Sequence, residues 1–222
     1  MRPVALFAVL ALAAQAAGVT AQDKAASPAV PAVSTAPVPT GAYQIDKAHT
    51  SLVFRVSHLG FSTYTGRFTG VDAKLQFNAR NPAASQVNVD IDPRSIEADN
   101  APSGFLQALA GKDWLDAERF PVMTFRSRSI ESVGSGKFRV HGDLTLHGVT
   151  RPIVLDAKYN GGYAGHTYEP QARIGFSAQG SFKRSEFGVS YGIPEAGSSF
   201  GVGDKIDIIL ETEFTGPPLA AP

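Results

Sequence analysis

FRVHGDLTLHGVTRPIVLDAKY, residues 138–159, is the stretch that decides the fold. Phe138, Val140, Leu144 and Leu146 alternate with Arg139, His141, Asp143 and Thr145, the two-residue period of a strand with one face in water. After His147-Gly148-Val149-Thr150 the alternation resumes, with Ile153, Leu155, Ala157 and Tyr159 sharing a face. Gly148 lets the backbone turn, and Pro152 stands near a strand start, where its missing N–H is tolerated. The pattern predicts a β-hairpin with one apolar face. A hairpin alone is marginal in water, so further strands must cover that face.

The rest of the chain supplies them. Leu52, Phe54, Val56 and His58 share one parity; Val71, Ala73, Leu75 and Phe77 another; Val87, Val89 and Ile91 a third. Met123 and Phe125 open a strand after Pro121. Ala172, Ile174, Phe176, Ala178, Gly180 and Phe182 form a long one, and Ile206, Ile208, Leu210, Thr212 and Phe214 the last. About eight or nine consecutive half-buried strands predict an all-β, antiparallel fold that stacks on itself or closes into a barrel. Residues 102–115, PSGFLQALAGKDWL, break the period: Phe105, Leu106 and Leu109 have helical spacing, with Ser103 as N-cap. A short helix, or two turns divided at Gly111, is expected there, over the open end or flank of the sheet.

Ahead of the strands, residues 1–21 combine Arg2, an apolar run from Val4 to Ala17 and a small-residue ending at Ala21, the pattern of a cleaved export signal. That run is shorter than the roughly 18 residues a membrane-spanning helix needs. Residues 22–41, rich in Ala and Pro, read as an extended, disordered linker. A folded domain over 42–216 and a disordered tail at 217–222 complete the division. The chain has 20 basic and 20 acidic side chains, which argues against nucleic acid as a partner. With no cysteine, the domain must be held by its core alone.

Large and small residues are interleaved on the inward parity. Ala73, Gly142, Ala157, Ala172, Ala178 and Gly180 stand among Phe and Leu. Small inward residues leave room, and an eight-stranded barrel either fills or holds one small ligand. Ten buried methylenes are worth about 8 kcal/mol, roughly micromolar binding before ordering costs. An aliphatic chain could thus be held by apolar contact, with polar groups only orienting its head.

Other motifs carry less. His49 and His58 are nine residues apart without an evident third metal ligand, so they read as structural or as a polar contact to a ligand head. Residues 197–201, GSSFG, fit the letters of a nucleophile elbow but precede a strand, where the elbow needs a helix. Asp113, Asp116 and Glu118 cluster beside Lys112 and Arg119, the composition of a solvated face. Catalytic, metal-ligating and cofactor-binding residues are therefore assigned to none.

Four blocks then carry a resemblance: residues 43–58, YQIDKAHTSLVFRVSH; residues 113–121, DWLDAERFP; residues 142–152, GDLTLHGVTRP; and residues 183–188, KRSEFG, followed by Val202-Gly203-Asp204. Together they resemble the YceI-like family of bacterial periplasmic proteins. Where many relatives carry an Arg-Asp-x-His-Leu type segment, this chain reads Ala101-Pro-Ser-Gly-Phe-Leu106, which bears on the helix contacts and on ligand preference. The resemblance implies a lipocalin-like extended β-barrel and non-enzymatic carriage or storage of a long-chain isoprenoid lipid, of quinone or polyprenyl phosphate type, in the periplasm. It leaves open transient contact with an inner-membrane quinone or lipid protein, and a homodimer. On this reading the inward side chains Phe54, Val56, Leu75, Leu106, Leu109, Trp114, Phe125, Leu144, Leu146, Phe176, Ala178 and Phe182 line the cavity, with His58, Lys183 and Arg184 nearest the head. The rival readings are a hydrolase of a lipid-linked substrate working through His58 or the Asp113 cluster, and a ligand-free envelope protein with a filled core.

Overall fold

The computed structural model describes residues 37–166 and 168–218. The expected leader lies outside the described residues, as do residues 22–36 of the linker and 219–222 of the tail. Ten strands follow in order: β1 (Gly41–His58), β2 (Ser62–Phe68), β3 (Val71–Phe77), β4 (Gln86–Ile91), β5 (Ile96–Glu97), β6 (Met123–Gly134), β7 (Lys137–Leu146), β8 (Val149–Tyr163), β9 (Gln171–Lys183) and β10 (Val202–Pro218). One helix, α1 (Phe105–Ala110), interrupts them between β5 and β6.

Eight strands close a ring, in the order β1-β3-β4-β6-β7-β8-β9-β10 and back to β1, with antiparallel pairing throughout. Closure removes the unpaired edges that an open sheet would present. The strand β1 serves two neighbours on one side: Gly41–Gln44 pair with β3, and Leu52–His58 pair with β2, which in turn carries the two-residue β5. The helix packs beside β5, and its Phe105 meets Tyr64 of β2 edge-on at 6.0 Å. It thus lies on the flank where β2 leaves the ring.

The β7–β8 hairpin follows the sequence pattern with a tighter turn. Leu146 pairs with Val149, so only His147 and Gly148 turn, both at positive φ (52° and 73°). The Phe120 ring packs where a Gly148 side chain would stand and tilts against His147 at 4.8 Å. This position needs glycine both for its backbone angle and for space.

Three sequence expectations are corrected. The helix is six residues long, ends at Gly111 and is preceded by Gly104 at φ 79°, without a side-chain cap; Ser103 is not the N-cap. Residues 217 and 218, assigned to the tail, belong to β10, where Pro218 pairs with Gln171. The end of the linker is ordered too: the Tyr43 hydroxyl donates to the Pro39 carbonyl at 2.7 Å, the Ala79 amide donates to Thr40 Oγ1 at 3.0 Å, and Val38 packs on the core. Tyr43 itself is 1% exposed, and burial pushes its pKa up to about 12.

The β1–β10 seam that completes the ring carries an ion cluster. Between Asp46 and Ser51 the strand β1 bulges against Glu213 and Glu211 of β10. At the bulge, Arg173 of β9 reaches Asp46, Glu213 and Glu169, each at 2.6 Å, and Asp46 also meets His49 at 2.8 Å. The hydrogen bond from Arg173 holds the Asp46 carboxyl down to about 2. A carboxyl depressed in the folded state contributes stability above its unfolded pKa, and that contribution fades as the pH falls toward the folded value. Asp46→Asn should therefore flatten the loss of thermal stability between about pH 4 and pH 2. An acid limb as steep as the wild type's would show that the pair does not stabilise the seam.

Candidate ligand-binding site

Two apolar cavities follow one another along the strands inside the ring. The larger, about 520 Å³, is lined by Ile45, Leu75, Val87, Val89, Phe125, Val140, Leu155, Ala157, Phe176, Ala178, Leu210 and Phe214 among others. The smaller, about 400 Å³, is lined by Leu52, Phe54, Val56, Tyr64, Phe105, Leu109, Trp114, Met123, Leu144, Leu146, Phe182 and Ile208 among others. Each is of the size that holds small ligands. Strand after strand passes from one to the other: Leu210 faces the first and Ile208 the second, Ala178 the first and Phe182 the second, Val140 the first and Leu144 the second. Between them, two glycines on the inner face leave notches: a Cβ on Gly142 would strike the Phe125 ring, and one on Gly180 would lie 2.7 Å from Leu155 Cδ2. Phe125 and Leu155 thus lean over missing side chains in the wall.

The structure brings thirteen of the expected residues to these cavities. Leu75, Phe125, Phe176 and Ala178 line the larger, and Phe54, Val56, His58, Leu109, Trp114, Leu144, Leu146, Phe182 and Arg184 the smaller. Leu106 lines neither, because on a single turn-and-a-half of helix Phe105 and Leu109 point at the cavity one turn apart and Leu106 falls beside that face. Lys183 is exposed and lines neither: with Phe182 and Arg184 inward, it faces solvent.

Arg184 lines the smaller cavity at 3% exposure, yet it is bound to the protein itself. Its guanidinium donates to the carbonyls of Gly203, Val189, Tyr191 and Val202 at 2.8 to 3.0 Å. Four of its five donors are committed, and its Cζ stands 5.1 Å from the centre of the Trp114 ring. Burial lowers its pKa, with the Asp204 charge opposing. The role of an available cation for a ligand head is therefore corrected: Arg184 shapes the loop that leads into β10.

Sequence reasoning missed Tyr64. Its hydroxyl is buried in the wall of the smaller cavity without a hydrogen-bond partner among the described residues. A buried orphan hydroxyl costs about 1–3 kcal/mol. No sequence signal marks it, since Tyr64 sits in a strand outside the ring.

His58, exposed where the smaller cavity meets solvent, has no side-chain hydrogen bond among the described residues. Asp46, His49 and Glu213 could gather their donor atoms within 4.8 Å, but the Asp46 and Glu213 carboxylates already share Arg173. Ser199 lies in the loop ahead of β10, without the strand-to-helix turn that activates a nucleophile.

The sequence profile of the YceI-like domain matches residues 43–214, all but the outermost ends of the barrel. The chain belongs to the YceI-like family. A UPF0312 protein of Vibrio cholerae is 37% identical over 149 residues, 66% of this chain and 77% of its own, and one of Yersinia pestis 35% identical over 173 residues, 77% and 84%. Among solved structures, the YceI protein of Campylobacter jejuni superposes with a TM-score of 0.60 at 29% identity, covering 72% of this chain and 90% of its own. A polyisoprenoid binding domain of Saccharophagus degradans superposes at 0.56 and 14% identity over 81% of this chain and all of its own, a likeness of fold. The two apolar cavities are the places within the YceI-like barrel where this chain has room for a ligand.

Proposed function

We propose that the protein binds and carries a long-chain isoprenoid lipid in the periplasm, with the apolar chain along the two stacked cavities. The observation that carries this reading is the pair of apolar cavities, about 520 and 400 Å³, in series within a closed ring. A round ligand would need one chamber; a flexible chain can extend through both. Methyl-branched isoprene units suit a wall of alternating large and small residues such as Phe176, Ala178, Ala157 and Leu155. Twenty methylene equivalents removed from water are worth about 16 kcal/mol before ordering costs, so affinity needs no charged contact.

Tyr64 supports a head with a single hydrogen-bonding group, a hydroxyl or carbonyl of quinone or phenol type, placed in the smaller cavity. A phosphate finds less there, because Arg184 is committed to carbonyls and Lys183 faces away. The export-signal pattern in residues 1–21 supports the periplasm as the place, and the likeness of fold to a polyisoprenoid binding domain supports carriage without catalysis.

Native mass spectrometry of protein purified from the periplasm, followed by organic extraction, tests the reading. One isoprenoid lipid at near one-to-one ratio is expected. An empty protein that also takes up no quinone, polyprenol or polyprenyl phosphate added in detergent would overturn it.

A further inference from the structure

The mouth of the smaller cavity is framed by two loops joined into one unit. His58, in its wall, pairs with Ser62 across the β1–β2 turn and with Val202 at the start of β10. The Leu59 amide donates to the Gly201 carbonyl at 2.8 Å, and the Val202 amide to the Gly192 carbonyl at 2.7 Å. The turn at 59–61 and the loop at 188–201 are therefore tied to each other and to the cavity wall.

This unit carries three exposed aromatic side chains. Phe61 is 84% exposed, Phe200 78% and Tyr191 57%. The Tyr191 ring meets Trp114, a wall residue of the cavity, at 5.4 Å, so the aromatic rim continues into the interior. Glu195 is the single charged side chain in the two segments, LGF and GVSYGIPEAGSSFG, in a chain that is 18% charged. Exposed phenylalanines on Gly- and Ser-rich tips lose surface area to water with no structural return inside the domain. Their position is explained if something apolar covers them.

We propose that this rim, Phe61, Tyr191 and Phe200, seats the mouth of the smaller cavity on a lipid bilayer, where the ligand enters and leaves. The inference rests on the lipid-carrier reading. A bilayer fits better than a protein partner for two reasons. A near-uncharged rim of separate aromatic tips offers no complementary charge pattern to a protein, whereas aromatic rings on small-residue loops suit the membrane–water boundary. A long apolar chain must also leave its source membrane without crossing water, which a mouth resting on that membrane permits. Shallow insertion of three rings gives weak, reversible attachment, as repeated exchange requires.

The test pairs flotation with transfer. Wild type and the double variant Phe61→Ser/Phe200→Ser, neither residue lining a cavity, are floated with phosphatidylcholine vesicles. Transfer of a fluorescent polyprenol from the same vesicles is then followed against vesicle concentration. The wild type is expected to co-float and to take up probe at a rate proportional to vesicle concentration. The variant should lose flotation and slow at least tenfold, while binding probe delivered in detergent as the wild type does. A wild type that does not float, or a variant that floats and transfers at the wild-type rate, overturns the proposal. Uptake of no probe even from detergent would instead strike the carrier reading, and flotation would still decide the surface.

Discussion

Replacing Arg184 by leucine should lower the unfolding free energy by about 4 kcal/mol, a loss far beyond that of an ordinary substitution. The arginine donates to four carbonyls, of Val189, Tyr191, Val202 and Gly203, which lie in one loop and the start of β10. Leucine fills much of the space and removes the burden of a buried charge, but leaves those acceptors without a donor. Each orphaned acceptor costs about 1–3 kcal/mol unless water reaches it. Arg184→Lys separates shape from charge. Lysine keeps the cation but not the flat fork of donors, so it should recover less than half of the loss. Urea unfolding measures both. If the Arg184→Lys variant were as stable as the wild type, the charge and not the fork would be the arginine's contribution, and a head-group role would return.

Ala178→Trp should reduce ligand affinity more than a hundredfold while the domain stays folded. Ala178 projects into the larger cavity between Ala157 of β8 and Leu210 of β10, with Phe176 two residues along its own strand. An indole there takes the room of about four methylenes, worth about 3 kcal/mol of binding, which is over a hundredfold. Fluorescence titration with a polyprenol, alongside the thermal midpoint, distinguishes a cavity from a filled core. An open cavity admits the ring at little cost. A filled core would lose about 1–3 kcal/mol of stability from overpacking and leave the titration unaltered. That second outcome would favour the envelope protein without ligand.

The barrel was legible because its signal is local. Successive side chains in a strand point to opposite faces, so the inward set on β1, β6, β7 and β9 could be read from alternation, and all the expected residues on those four strands line a cavity except Lys183. That exception came from chemistry overriding parity: Lys183 stands between the inward Phe182 and Arg184, and a cation near a mouth was attractive. Leu106 failed for a related reason. Helical spacing marks a face, but a helix of six residues has room for two side chains on its centre line, and Phe105 and Leu109 take it.

The amino-acid sequence by itself determined the strands, their faces, the turn at Gly148 and the smallness of the residues inside, because each depends on neighbours within a few positions. The packing of strands and loops on one another decided the rest. It placed Arg184 against the carbonyls of 189–203, let Phe125 and Leu155 lean into the notches of Gly142 and Gly180, and left the Tyr64 hydroxyl buried without a partner among the described residues. Parity tells which side chains point inward; only the packing of strands far apart in the chain decides how far along the axis they lie and whether the space before them is filled.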